Sequence, residues 1–333
     1  MISSTNNKTY MQKPINLNSA MLSLLERGEI STEEPLEKAL LKLHKDNPDH
    51  GFTCGVTKDG THFHSYKPEL IPANIDTPVI FLHAMGGNNI NWLPVLGGVR
   101  KHNLSYAVDL PEHGMTHSKK FIKQSNTEYV RWLKRFFNET GITKAHLVGH
   151  SLGGRVAALF VLEFPEYVAS ITLLAPALTP SFKKTTDFDV SLIKMVSSLD
   201  KPNLSKKMMQ FILGRMLIKK VGRTSKGLRY AIEELVRDQQ PRSFKGIVGP
   251  MEWMDESGDL DVDWSKIAAV IPVSMVFGAK DIYCPSKNIL KILPDSISIR
   301  YIKQSGHLVP LEHPFICTDQ ILRSIKMSHS YAK

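Results

Sequence analysis

The stretch AHLVGHSLGGRVAALF, residues 145–160, decides how the rest of the chain is read. Its first four residues are apolar enough for a buried strand. Gly149-His150-Ser151-Leu152-Gly153 follows, and a helical pattern begins at Arg155. A strand, then G-x-S-x-G, then a helix is the context of a nucleophile elbow. A serine at the tip of so tight a turn sits at strained backbone angles, and side chains two residues to either side would collide. The turn lifts the Ser151 hydroxyl above the sheet edge. The N–H of Leu152 then stands at a helix N-terminus, placed to hold an oxyanion.

The chain as a whole has a composition ordinary for a soluble protein. Of 333 residues, 42% are hydrophobic and 22% charged, enough for a sizeable core. Cys54, Cys284 and Cys317 are widely spaced and odd in number. They suggest neither a disulfide framework nor a zinc site, and they favour a reducing compartment. The N-terminal segment lacks a continuous apolar run, so no secretory signal is expected and a cytoplasmic location follows.

Outward from the elbow, apolar strands alternate with amphipathic helices. Residues 51–67 read as a hairpin turning at Lys58-Asp59-Gly60, with His62 and His64 on one face of its second strand. No carboxylate or cysteine adjoins them in sequence, so they are expected to be surface residues of an edge strand rather than metal ligands. Residues 78–82 form a strand ending in His83-Ala84-Met85-Gly86-Gly87, and Trp92 opens a helical stretch. Strands are expected at 104–110, 171–175, 271–277 and 297–302, with helices at 125–140, 288–293 and 314–325. This order predicts a mostly parallel sheet covered on both faces. It is interrupted at 179–250, which reads as inserted helices. The expected organisation is an N-terminal helical extension (1–50), a core in two parts (51–178 and 251–333) and a cap (179–250).

Three residues follow expected strands in chain order: Ser151, then Asp281 after 271–277, then His307 after 297–302. This order, with the elbow, resembles the α/β-hydrolase superfamily, within its serine esterases, lipases and C–C hydrolases carrying a helical cap. The resemblance covers roughly residues 51–178 and 250–325. It implies Ser151 as nucleophile, His307 as base and Asp281 as its acid, with the backbone N–H groups of Leu152 and Met85 as oxyanion hole. His313 is left as structural. His83, Trp92 and His150 border the expected site as candidates to line the substrate, although His83 and His150 are better explained as architectural. Two positions depart from the family pattern: the usual His-Gly of the oxyanion loop is His83-Ala84 here, and Glu112 replaces the first glycine of Asp-x-Pro-Gly-x-Gly, read as a surface-turn variation. A carboxylesterase is implied. A lipase or monoacylglycerol-type enzyme, a C–C hydrolase and an acyltransferase are alternatives, and a receptor without turnover is disfavoured by the intact residue set. The serine argues against epoxide hydrolases and haloalkane dehalogenases, which place an aspartate there. No cofactor or metal site is expected, since phosphate-loop, dinucleotide and metal-spaced motifs are missing.

Charge is the remaining signal. The chain carries a net +10, and the cap segment 179–250 holds fifteen Lys/Arg against six Asp/Glu, a net +9. Such a field steers association with an acidic partner. An acyl carrier protein docking at Arg215, Lys219, Lys220 and Arg223 is one expectation, because the sequence also resembles the pimeloyl-carrier methyl ester esterases of biotin synthesis. An anionic membrane surface is a weaker alternative. Nucleic acid is not expected, for want of a recognition motif.

Overall fold

In the computed structural model, residues 52–71, 73–116, 120–121, 123–179, 195, 245–287 and 289–331 are described. The expected extension at 1–50 and nearly all of the expected cap lie outside them. Eight strands form one sheet: β1 (Phe52–Val56), β2 (His62–Tyr66), β3 (Asn74–Leu82), β4 (Asn103–Val108), β5 (Ala145–His150), β6 (Val168–Leu174), β7 (Val273–Gly278) and β8 (Ser298–Ile302). Their order is 1-2-4-3-5-6-7-8. β1 and β2 pair antiparallel, as do β2 and β4, and every later pairing is parallel.

Alternation along the central strands feeds two separate cores, as the two-residue period of a strand requires. Ile80, Leu82, Leu147, Leu173 and Met275 point to one face. There they meet α2 (Asn126–Thr140), α3 (Leu152–Glu163), α4 (Lys245–Ser257) and α5 (Trp264–Val270). Val79, Phe81, Val148, Leu174 and Val276 point to the other, against α1 (Leu93–Val99), α6 (Val309–Glu312) and α7 (Pro314–Tyr331). Helix ends follow ordinary capping rules. The Ser125 hydroxyl accepts the Glu128 N–H at 3.2 Å to start α2, and Gly141 ends it at φ 72°.

Several expectations need revision. His62 and His64 are buried, not surface residues of an edge strand: β1 pairs alongside β2, and the loops carrying Asn89 and Asp109 pack against the His62 ring. Helix α4 runs across the expected cap boundary at 250, since Ile247, Met251, Trp253 and Met254 all join the core. The expected helix at 288–293 shrinks to a single turn of 3-10 helix, Ile289–Lys291. Glu112 is half-buried at φ 63°, the left-handed conformation that a glycine would adopt without strain.

The order of β3, β4 and β5 places the site. β4 lies on one side of β3 and β5 on the other, so the chain reverses its winding direction there. A crevice opens beyond the carboxyl ends of parallel strands at such a point.

The buried His146 of β5 yields a test. Its Nδ1 lies 2.9 Å from Ser170 Oγ. Burial, helped by His329 and Lys144, pushes its pKa down from 6.5 to about 4. The unfolded chain therefore binds the proton first on acidification. His146 should destabilise the fold progressively as pH drops from about 6.5 towards 4, and contribute no pH dependence above that window. Urea midpoints for wild type and His146→Gln should converge as pH is lowered through this window. Parallel curves would contradict the assignment.

Candidate active site

Ser151 occupies the turn between β5 and α3 at φ 52° and ψ −112°, a conformation rarely adopted by non-glycine residues. The surrounding backbone holds it there. Its N–H donates to Leu174 O and its carbonyl accepts the Ala177 N–H, both at 3.0 Å. The flanking glycines are required sterically. A Cβ on Gly149 would strike the Gly153 carbonyl and Gly154, and one on Gly153 would strike the backbone of Leu82 and His83.

Asp281 and His307 arrive from the loops after β7 and β8. His307 Nε2 lies 2.9 Å from Ser151 Oγ, and His307 Nδ1 lies 2.8 Å from Asp281 Oδ2. The second carboxylate oxygen of Asp281 accepts the N–H groups of Tyr283 and Cys284 at 2.9 and 3.0 Å, which fixes its plane. Burial pushes the Asp281 carboxyl upward, but the charge and hydrogen bond of His307, with those two N–H groups, outweigh it. The net effect holds it below the ordinary carboxylate range. The three side chains make one hydrogen-bonded line, carboxylate to imidazole to hydroxyl.

The other wall is the turn after β3. Gly87 N–H donates to Ala84 O at 2.9 Å, and Gly86 takes φ 74°, which places Met85 at the first corner of a type II turn. His83 O accepts the Gly153 N–H at 3.1 Å, so this turn is tied to the start of α3, where Leu152 stands. Ile247 of α4 lies against the turn, 3.8 Å from where a Gly86 Cβ would stand.

The three residues expected to line substrate are turned to structural contacts. The fully buried His83 uses both ring nitrogens within the protein. Nδ1 donates to Ala84 O at 2.7 Å and Nε2 accepts the Leu110 N–H at 2.9 Å. Burial lowers its pKa against the opposing charge of Asp109, so the neutral ring braces two loops. Trp92 is 1% exposed and packs its ring on Phe81, with centroids 5.0 Å apart, inside the core. His150 is also a brace. The expected docking residues Arg215, Lys219, Lys220 and Arg223 lie outside the described residues.

The family model for the alpha/beta hydrolase fold matches residues 77–202. The chain has the α/β-hydrolase fold. A dihydrolipoyllysine-residue acetyltransferase component of the acetoin cleaving system from Cupriavidus necator is 39% identical over 98 residues, 29% of this chain. That match spans about a quarter of the relative's own length, 26%. An uncharacterized carboxylesterase, nap, from Bacillus subtilis is 26% identical over 280 residues, covering 79% of this chain and 82% of that protein. The crystal structure of naproxen esterase from Bacillus subtilis superposes with a TM-score of 0.58 at 20% identity, over 88% of this chain and 98% of that one.

Within this hydrolase fold, two contributors to the site, Glu312 and Cys284, escape a reading of motifs, and His150 takes the architectural part expected of it. Glu312, at the end of α6, accepts the Gly306 N–H at 2.9 Å and the Leu308 N–H at 3.1 Å, the two peptide groups flanking His307. His150 Nε2 donates to the His307 carbonyl at 2.8 Å. Burial and the adjacent His307 push its pKa down to about 3, so it remains a neutral donor. The His307 backbone is thus clamped from both sides. Cys284 is buried beside Ser151, and burial with the Asp281 charge pushes its thiol well up, leaving it protonated. An acid five residues beyond the histidine was the available signal for Glu312. Nothing comparable marked Cys284.

The clamp makes a specific prediction. Glu312→Ala frees the peptide groups that aim His307 and should lower kcat on the order of 10²-fold, since small misplacements of a catalytic group have that effect. Glu312→Gln keeps a carbonyl acceptor and should recover part of the loss. KM for a small ester should change little in both. Steady-state kinetics with wild-type circular dichroism as a folding control would check this, and unchanged kcat in Glu312→Ala would refute it.

Proposed function

We propose that the protein is a serine carboxylesterase that cleaves a carboxylic ester through an acyl-enzyme on Ser151. The observation that carries this reading is the line Ser151 Oγ–His307 Nε2 (2.9 Å) and His307 Nδ1–Asp281 Oδ2 (2.8 Å), set at the carboxyl ends of the strands. The carboxylesterase names of two Bacillus subtilis relatives, each matched over about four fifths of its length, support it.

A serine hydroxyl is a poor nucleophile until a base removes its proton. His307 Nε2 accepts that proton as Oγ bonds to the ester carbon. The resulting imidazolium is stabilised by the Asp281 carboxylate, which also holds the tautomer that leaves Nε2 as the acceptor. The negative oxygen of the tetrahedral intermediate is held by the N–H groups of Leu152 and Met85. Losing one such donor costs on the order of 3 kcal/mol in comparable enzymes. His307 then protonates the departing alkoxide. In the second half, His307 takes a proton from water, hydroxide adds to the acyl carbon, and Ser151 leaves as the hydroxyl.

For the substrate, we propose an ester tethered to an acyl carrier protein, such as a pimeloyl methyl ester, docked on the basic segment 179–250. The support is the net +9 of that segment against +10 for the whole chain. A concentration of one sign of charge raises association with an acidic macromolecule, and such attraction at a surface is screened over about 10 Å at 0.1 M salt.

Two experiments test the two levels separately. A fluorophosphonate probe should label wild type and spare Ser151→Ala, and equal labelling would refute the nucleophile. The variant with Arg215, Lys219, Lys220 and Arg223 all changed to Glu should raise KM for a carrier-linked ester and leave a small nitrophenyl ester nearly untouched. Equal impairment of both substrates would refute docking while leaving the esterase reading intact.

A further inference from the structure

Among the described residues, two groups of three potential metal-ligating side chains bring their ligand atoms within 4.8 Å of one another. Asp281, Cys284 and His307 belong to the catalytic site, and both ring nitrogens of His307 already serve Ser151 and Asp281. The other group, Cys54, His62 and His64, lies on the β1–β2 hairpin and takes no part in the proposed chemistry.

The hairpin register builds this second cluster. Cys54 pairs with His64, and Val56 with His62. His62 and His64 are two residues apart, so both rings point to the side of the sheet that Cys54 faces. Their centroids are 5.2 Å apart, edge to face. Phe52 and Tyr66 occupy the same face nearby and belong to the apolar core. Two imidazoles and a thiol thus stand where β-branched or aromatic side chains would fill the layer without desolvating polar atoms.

We propose that Cys54, His62 and His64 form a zinc-binding site with its fourth position open to water or an external thiol. The donor set suits a soft or borderline cation, and its size is near that required. Bonds of about 2.0–2.1 Å to nitrogen and 2.3 Å to sulfur put tetrahedral ligand atoms roughly 3.3–3.6 Å apart. Small side-chain rotations close the difference from 4.8 Å.

The surroundings have the form that metal-bound histidines use. A ligating imidazole donates its other ring N–H to a carboxylate or similar acceptor, which fixes its orientation. His62 Nδ1 lies 3.0 Å from Asp109 Oδ2, and His64 Nδ1 lies 3.5 Å from the Tyr66 hydroxyl. Each ring would coordinate through Nε2. Asp109 is itself anchored, accepting the N–H groups of Asn89 at 2.7 Å and Met115 at 2.9 Å. Access would come from the side of β1, the terminal strand among the described residues, where Cys54 is half-buried. Zinc here would bridge the two hairpin strands and, through His62 and Asp109, tie them to the loops after β3 and β4.

The test uses the full chain, stripped with a chelator and titrated with Zn²⁺ against a chromophoric competitor. Wild type should bind one zinc per chain, show a thiolate-to-metal charge-transfer band with Co²⁺, and gain thermal stability on zinc addition. Zinc should also slow alkylation of Cys54, read by mass spectrometry of its peptide. Cys54→Ala should lose the cobalt band and bind zinc at least about tenfold more weakly, while Cys284→Ala should retain both. His64→Gln supplies a second ligand variant if folded by circular dichroism; Cys54→Ala, altered at a half-buried edge position, and the alkylation rate decide the question regardless. Equal zinc affinity in wild type and Cys54→Ala, an alkylation rate indifferent to zinc, or loss of binding in Cys284→Ala would overturn the proposal.

Discussion

The site depends on one strained residue held in place by its neighbours. Ser151 at φ 52° and ψ −112° costs on the order of 1–3 kcal/mol relative to a relaxed backbone. That cost is offset by hydrogen bonds to Leu174 and Ala177 and by the absence of Cβ atoms at Gly149 and Gly153. The same close approach lets the Gly153 N–H reach His83 O. One constraint therefore sets the height of the hydroxyl, the start of α3 and the position of the turn carrying Met85.

The second half of the site is held by hydrogen bonds rather than strain. Asp281 is oriented by two N–H groups, and His307 by Glu312 on its flanking peptides and His150 on its carbonyl. His150 adjoins Ser151 in sequence, so the nucleophile's strand also positions the base 156 residues away. Coupling of this kind lets two loops present their side chains within hydrogen-bonding distance before substrate arrives. The buried Arg155 extends the scheme outward. Its guanidinium donates to Ala177 O at 3.1 Å and Ser257 Oγ at 2.9 Å, joining the elbow helix to the end of α4.

Local patterns carried the sequence reading a long way. Apolar runs marked the buried strands, and the elbow pentad with the order Ser151, Asp281, His307 sufficed to bring the three side chains to one crevice. What stayed hidden depends on contacts between distant segments. Trp92 looked like a pocket residue because it follows the turn, yet its ring turns into the core against Phe81. His62 and His64 looked exposed because alternation reveals a face but not what covers it. Their companions Cys54 and Asp109 come close only through pairing of β1, β2 and β4. Glu312 carries no motif of its own, and its role appears once α6 folds back beneath His307. The charge of the 179–250 segment, by contrast, is a property of composition and was legible at once.

The central claim is that Ser151 carries the acyl group during turnover. Rapid mixing of the enzyme with a nitrophenyl ester, followed by acid quench and peptide mass spectrometry, measures this directly. The account predicts an acyl adduct on the peptide containing Ser151, formed at least as fast as steady-state turnover and absent from Ser151→Ala. Turnover of the same ester by Ser151→Ala at the wild-type rate, or an adduct on another residue formed at a turnover-competent rate, would contradict it.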